Sequence, residues 1–154
     1  MPKLGDFFND EDRKASVERQ LVPGAVIYLE VAFPQITKNK FLVFVGEENP
    51  DVLTFIVNSQ TNPFILNKPH LNICQVTLDA ASHPFLKHDS HIACHQVLRL
   101  SRADVIIDLS ADLSRIKGTV SKAVREQIVS AVKSAKTLDR YTQNVIIQSL
   151  AIDE

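Results

Sequence analysis

Ala25-Val26-Ile27-Tyr28-Leu29-Glu30-Val31-Ala32-Phe33 is the stretch on which the fold turns. It is rich in β-branched and aromatic side chains, which fit a pleated surface better than a helix, so it predicts a strand. Phe41-Leu42-Val43-Phe44-Val45 repeats the pattern and stops at Gly46-Glu47-Glu48-Asn49-Pro50. Residues 52–57 form a third apolar run, ended by Asn58-Ser59-Gln60-Thr61-Asn62-Pro63. Residues 71–78 give a weaker fourth strand and residues 91–100 a fifth. Short strands at intervals of about ten to twenty residues, with turn chemistry between them, predict a small closed or nearly closed β-barrel.

Helices flank this zone. Residues 4–20 are charged, and Asn9 or Asp10 is placed to cap a helix over residues 12–20, because a side-chain oxygen there satisfies free first-turn amides. Val22-Pro23-Gly24 breaks it. At the other end Val120, Val124, Ile128, Ala131, Val132 and Ala135 recur at spacings of three and four. That is one apolar stripe of an amphipathic helix, which starts near Gly118 and Ser121 and closes one side of the barrel. Leu138, Tyr141, Val145, Ile146 and Leu150 give a second, shorter stripe. The expectation is α+β, mainly β, in a single domain spanning 1–154. Within it, 1–21 is an N-terminal helical extension, 22–136 the barrel with its helix, and 137–154 a terminal helix.

Composition narrows the function. Hydrophobic residues at 45% against 23% charged are ordinary for a globular fold. Seventeen Lys and Arg against eighteen Asp and Glu leave a net charge of −1, unlike a protein that coats a polyanion. That balance leaves room for a small basic pocket. No apolar run reaches the roughly 20 residues of a membrane helix, and the first residues lack the apolar core of a signal peptide. Cys74 and Cys94 are the only two cysteines, too few for a disulfide framework. The expectation is a cytoplasmic, reduced protein with no membrane partner.

Three segments carry possible chemistry. Lys38 and Lys40 flank Asn39 in a polar turn between the first two strands, where they can hold a phosphate as point charges or simply keep a hairpin soluble. The residues from Asn58 to Asn62 offer five consecutive hydrogen-bonding side chains, although such residues also favour turns for local backbone reasons. His83, His88, His91 and His95 gather with Cys94 and Asp89. Histidine titrates near neutral pH, which suits proton transfer or metal binding. On one strand, however, His91 and His95 would lie about 13 Å apart at ~3.3 Å per residue, too far to share a zinc with bonds of ~2 Å. No metal site and no cofactor are expected. His88 and His91 remain candidates for proton transfer, and His95 is read as a barrel-face residue.

In order along the chain come Pro23-Gly24, an apolar strand, a basic loop, a strand ending in Asn58-Ser59-Gln60-Thr61, then Ser90-His91-Ile92-Ala93-Cys94-His95-Gln96-Val97-Leu98-Arg99-Leu100, and Ile116-Lys117-Gly118-Thr119-Val120-Ser121 before an amphipathic helix. This order resembles the PemK/MazF-like toxins of type II toxin–antitoxin systems over about residues 22–135. The closing strand, turn, Val-Ser pair and helix carry most of the likeness. The resemblance implies an SH3-like barrel, a homodimer, and cleavage of single-stranded RNA without metal by attack of a 2′-hydroxyl on the adjacent phosphate. It also implies an antitoxin protein that occupies the RNA groove. By position, the charge and acid role falls to Lys38 or Lys40, and the phosphate-holding role to Ser59 or Thr61. Asn39, Asn58 and Gln60 fall to RNA contact, with His88 or His91 available for proton transfer.

The loop departs from that family in one respect. The family's usual arginine is absent from it, and Phe41 stands where a proline commonly follows. Lysine supplies charge without the planar two-pronged fork of arginine. A non-catalytic nucleic-acid- or protein-binding regulator, or a gyrase-targeting relative, on the same barrel is the alternative.

Overall fold

The computed structural model describes residues 10–59 and 68–151. Helix α1 (Asp10–Gln20) leads into strands β1 (Ala25–Ala32), β2 (Thr37–Glu48) and β3 (Asp51–Asn58). A short helix α2 (Pro69–Asn72) precedes β4 (Gln75–Leu78), β5 (Ser90–Ala93) and β6 (Leu98–Ser101). Helix α3 (Arg102–Ala111), strand β7 (Ile116–Thr119), and helices α4 (Lys122–Ser134) and α5 (Arg140–Leu150) complete the chain.

The strands form one antiparallel sheet in the order β4-β5-β3-β2-β1-β7, with β6 also paired to β3. β3 is the pivot: its first half pairs with β6 and its end pairs with β5. The sheet curls into a half-barrel, and among the described residues its outer strands β4 and β7 do not pair with each other. α4 follows directly on β7 and packs towards β4. Val124, Ile128 and Val132 enter the same core as Val26, Val43, Val76 and Leu78, so the predicted apolar stripe is the buried one. Ser121 caps α4 by accepting from the Val124 amide at 3.2 Å. α5 lies so close to β2 that a Cβ on Gly46 would stand 3.2 Å from both Ser149 Oγ and Val145 Cγ1.

The opposite face of the sheet is covered by α1 and α3. Val17 of the first and Leu21 just past its end meet Val105, Ile106 and Leu109 of the second above Ile27, Leu42 and Phe44. Alternate residues of β1, β2 and β3 therefore face two separate cores, which is why these strands are nearly continuously apolar.

Four expectations need correction. Lys38-Asn39-Lys40 is not a turn but the start of β2, paired with Val31, Glu30 and Leu29 of β1. Residues 71–78 are not one strand, because α2 occupies their start and only Gln75–Leu78 pairs. Residues 91–100 are not one strand either: the chain turns between Ala93 and Leu98, which lets β5 and β6 pair with different halves of β3. The barrel-face placing of His95 therefore falls, as does the strand on which the 13 Å argument rested. Finally, Arg102–Ala111 is a second helix inside the span 22–136, where only the barrel and its closing helix were expected. Its Val105-Ile106-Ile107 run has strand propensity, but Ser101 caps it through the Asp104 amide and packing on α1 outweighs propensity. The helix expected over residues 12–20 is present as α1, while residues 4–9 lie outside the described residues.

Candidate functional site

The free end of the sheet brings together side chains that are far apart in sequence. Lys40 lies opposite Leu29 of β1. One step past the Phe41–Val57 pair, its Nζ donates to Asn58 Oδ1 at 2.8 Å. Asn58 is in turn paired with His91, and His91 with Thr77. Residues directly opposite in neighbouring strands project from the same face. Lys40, Asn58 and His91 therefore form one row on the α1/α3 face, and Lys38, two residues along, shares it. Near β1 the row is buried, at Leu29. At its far end Thr77 is exposed.

Lys40 and His91 are half-buried and Lys38 is exposed. Burial, then the charge of Lys38, holds the Lys40 ammonium below the ordinary lysine pKa. Lys40 and, one strand beyond Asn58 in the same row, the His91 imidazole are two groups suited to proton transfer.

The other candidates are distributed differently. Asn39 faces the opposite side, where its Oδ1 accepts from Arg115 Nη1 at 3.3 Å. Ser59 is exposed just past β3. Thr61 and Gln60 lie outside the described residues. His88 is exposed before β5, and its carbonyl accepts from Ser90 Oγ at 3.1 Å. His95 sits in the β5–β6 turn, with Gln75 Nε2 donating to its Nδ1 at 3.4 Å. Burial pulls its imidazole below the ordinary value. Among the described residues no three His, Cys, Asp or Glu side chains converge to hold a metal ion.

Asp79, His83 and Ser121 imitate a nucleophilic triad in composition only. His83 is 2% exposed, its Nδ1–H donates to the Asp79 carbonyl at 2.9 Å, and its Nε2 accepts from the Ser121 backbone N–H at 3.4 Å. Ser121 Oγ is itself engaged as the α4 cap. With both ring nitrogens occupied, the imidazole takes no proton from a hydroxyl. It works as a latch between the β4–β5 connection and the start of α4.

Arg115 is the residue the sequence pattern did not single out. It comes from the 3-10 turn Leu113–Arg115 ahead of β7, and Nη1 donates to the Tyr28 carbonyl at 2.9 Å as well as to Asn39. A guanidinium thus reaches the basic start of β2 from a segment 76 residues away in sequence. No local signal marks it, since a lone arginine before a strand is common.

Two concavities lie away from this row. One of about 550 Å³ is lined by His95, Arg99, Asp139 and Thr142, and one of about 670 Å³ by α1 and α3 residues including Lys14, Arg102 and Ile107. The basic row is an open rim, suited to an extended ligand rather than an enclosed small molecule. No family model matches the chain, and no curated protein matches its sequence.

Proposed function

We propose that this chain is a PemK/MazF-like endoribonuclease on an SH3-like barrel, cleaving single-stranded RNA without a metal. The observation that supports this most is the single row of Lys40, Asn58 and His91, with Lys38 beside it. It sets cations and an imidazole along one strip of the sheet, and RNA cleavage by this route needs a base, an acid and positive charge at the phosphate.

In the proposed reaction His91 takes the proton of the 2′-hydroxyl as that oxygen bonds to the adjacent phosphorus. The bond from phosphorus to the 5′-oxygen breaks, and Lys40 gives that oxygen its proton. The products are a 2′,3′-cyclic phosphate and a 5′-hydroxyl end. Lys38 adds charge where the phosphorane becomes dianionic, and Asn58 fixes the Lys40 ammonium. Ser59 is assigned the role of donating a hydrogen bond to the phosphate, and Arg115 brings a guanidinium to the other face of β2. An antitoxin protein that covers this rim, and a second copy of the chain, complete the proposal.

The test is cleavage of single-stranded RNA with EDTA present, mapping 5′-hydroxyl ends. Lys40→Ala should lower the rate about 10²–10³-fold, as loss of one preorganised electrostatic donor does, and Lys38→Ala with Lys40→Ala more. Ser59→Ala should do less, since a neutral hydrogen bond contributes only ~0.5–1.5 kcal/mol. Unchanged cleavage by the double variant would place the nuclease site elsewhere. Wild-type protein that binds RNA and leaves it intact would favour the non-catalytic module.

A further inference from the structure

The face of the rim opposite the lysine row carries aromatic rings. Tyr28 and Phe41 are paired across β1 and β2, with ring centroids 4.7 Å apart. Phe85, from the connection between β4 and β5, stands 5.7 Å from Phe41. All three rings are partly exposed, and Phe41 and Phe85 rest on the core beneath. Phe41 and Phe85 are therefore held in place before any ligand arrives, so they have little side-chain entropy left to lose on binding. Cations border them: Lys117 Nζ lies 5.7 Å from the Tyr28 centroid, and Arg115 is bonded to the Tyr28 carbonyl.

We infer that Tyr28, Phe41 and Phe85 form a base-stacking platform for single-stranded RNA, with Lys117 and Arg115 facing its phosphates. The inference rests on the RNA reading above and adds to it a binding surface on the other side of the same strands. Aromatic rings alone would suit an apolar peptide equally well. The adjacent cations select a polyanion, and the flat π faces select its bases. Two carboxylates oppose it: Glu30, opposite Asn39 on this face, is exposed and repels phosphate, and Asp112 lies 3.8 Å from Arg115 Nε and offsets part of the cationic charge.

The chain has two tyrosines and no tryptophan, which makes the platform directly observable. In a Tyr141→Phe background Tyr28 is the only tyrosine fluorophore. The ligand is a short 2′-O-methyl single strand, which lacks the attacking hydroxyl and stays intact. Binding should quench Tyr28 emission. An abasic strand of equal length should bind about 5- to 150-fold more weakly per lost stacked base. Tyr28→Phe should retain affinity and Tyr28→Ala should lose it. Lys117→Ala should reduce the slope of log affinity against log salt by about 0.7, and Glu30→Gln should strengthen binding. Equal affinity for normal and abasic strands with Tyr28 unquenched would overturn the platform while leaving RNA binding in place. No binding of any single strand at low salt would overturn the RNA reading itself. The ligand comparison needs no substitution in the rings, so a variant that fails to fold does not obscure it.

Discussion

Asn58 Oδ1 accepts from Lys40 Nζ at 2.8 Å, and this contact ties the ammonium to the neighbouring strand along the face of the sheet. The bond uses one of three N–H donors and leaves two for a ligand. Asn58→Ala should therefore cost little stability but loosen the ammonium, lowering the cleavage rate about tenfold with a smaller change in KM. Asn58→Asp should raise the pKa of Lys40, because an added carboxylate favours the charged form. The alkaline limb of the pH–rate profile should then move to higher pH. An unmoved limb would remove Lys40 from the acid role.

Lys40 itself should be a site where function opposes stability. Its pKa in the folded chain lies below the ordinary 10.5 because burial and Lys38 disfavour the charge. The folded state therefore holds fewer protons than the unfolded state between those two values, and stability rises with pH across that window. Below it the penalty is complete. Lys40→Met should raise Tm at pH 7, with the gain shrinking as pH approaches 10.5, while cleavage is lost. A lower Tm at pH 7 would mean that the Asn58 contact outweighs the burial of charge.

The two candidate histidines differ in placement, and their variants should separate. His91 is fixed in β5 opposite Asn58, whereas His88 is exposed ahead of the strand. His91→Ala should abolish the acidic limb of the rate profile, and His88→Ala should leave it in place. The reverse result would move proton transfer to the loop.

Ile128 is fully buried where α4 meets the sheet. Ile128→Ala should cost about 2–5 kcal/mol, the usual range for truncating a core aliphatic. Urea unfolding should show a lower midpoint at unchanged slope. A midpoint within error of wild type would contradict this packing.

Light scattering should give twice the 17.2 kDa of one chain, because the proposed function includes a homodimer. A mass of one chain at working concentration would exclude that part of the proposal.

Local pattern was enough for much of the fold. The β1, β2 and β3 runs are strands because their side chains suit a pleated surface buried on both faces. The Val124, Ile128 and Val132 stripe is the buried side of α4 because a 3.6-residue period leaves only one face apolar. The Val105-Ile106-Ile107 run carried no such decision. Its β-branched residues prefer a strand locally, and only contact with α1 and a cap from Ser101 make it helical. The break between Ala93 and Leu98 was equally hidden, since it depends on which half of β3 each flanking segment meets.

For the candidate site, the sequence by itself determined residue types: two lysines about Asn39, a run of amides and hydroxyls from Asn58, histidines near a strand. Which of them meet was decided by strand register, because a shift of one residue turns every side chain to the other face. Register put Lys40, Asn58 and His91 on one face and turned Asn39 to the other, where Arg115 reaches it. No spacing along the chain encodes that meeting. It follows from pairing energies and two packed cores summed over the whole sheet.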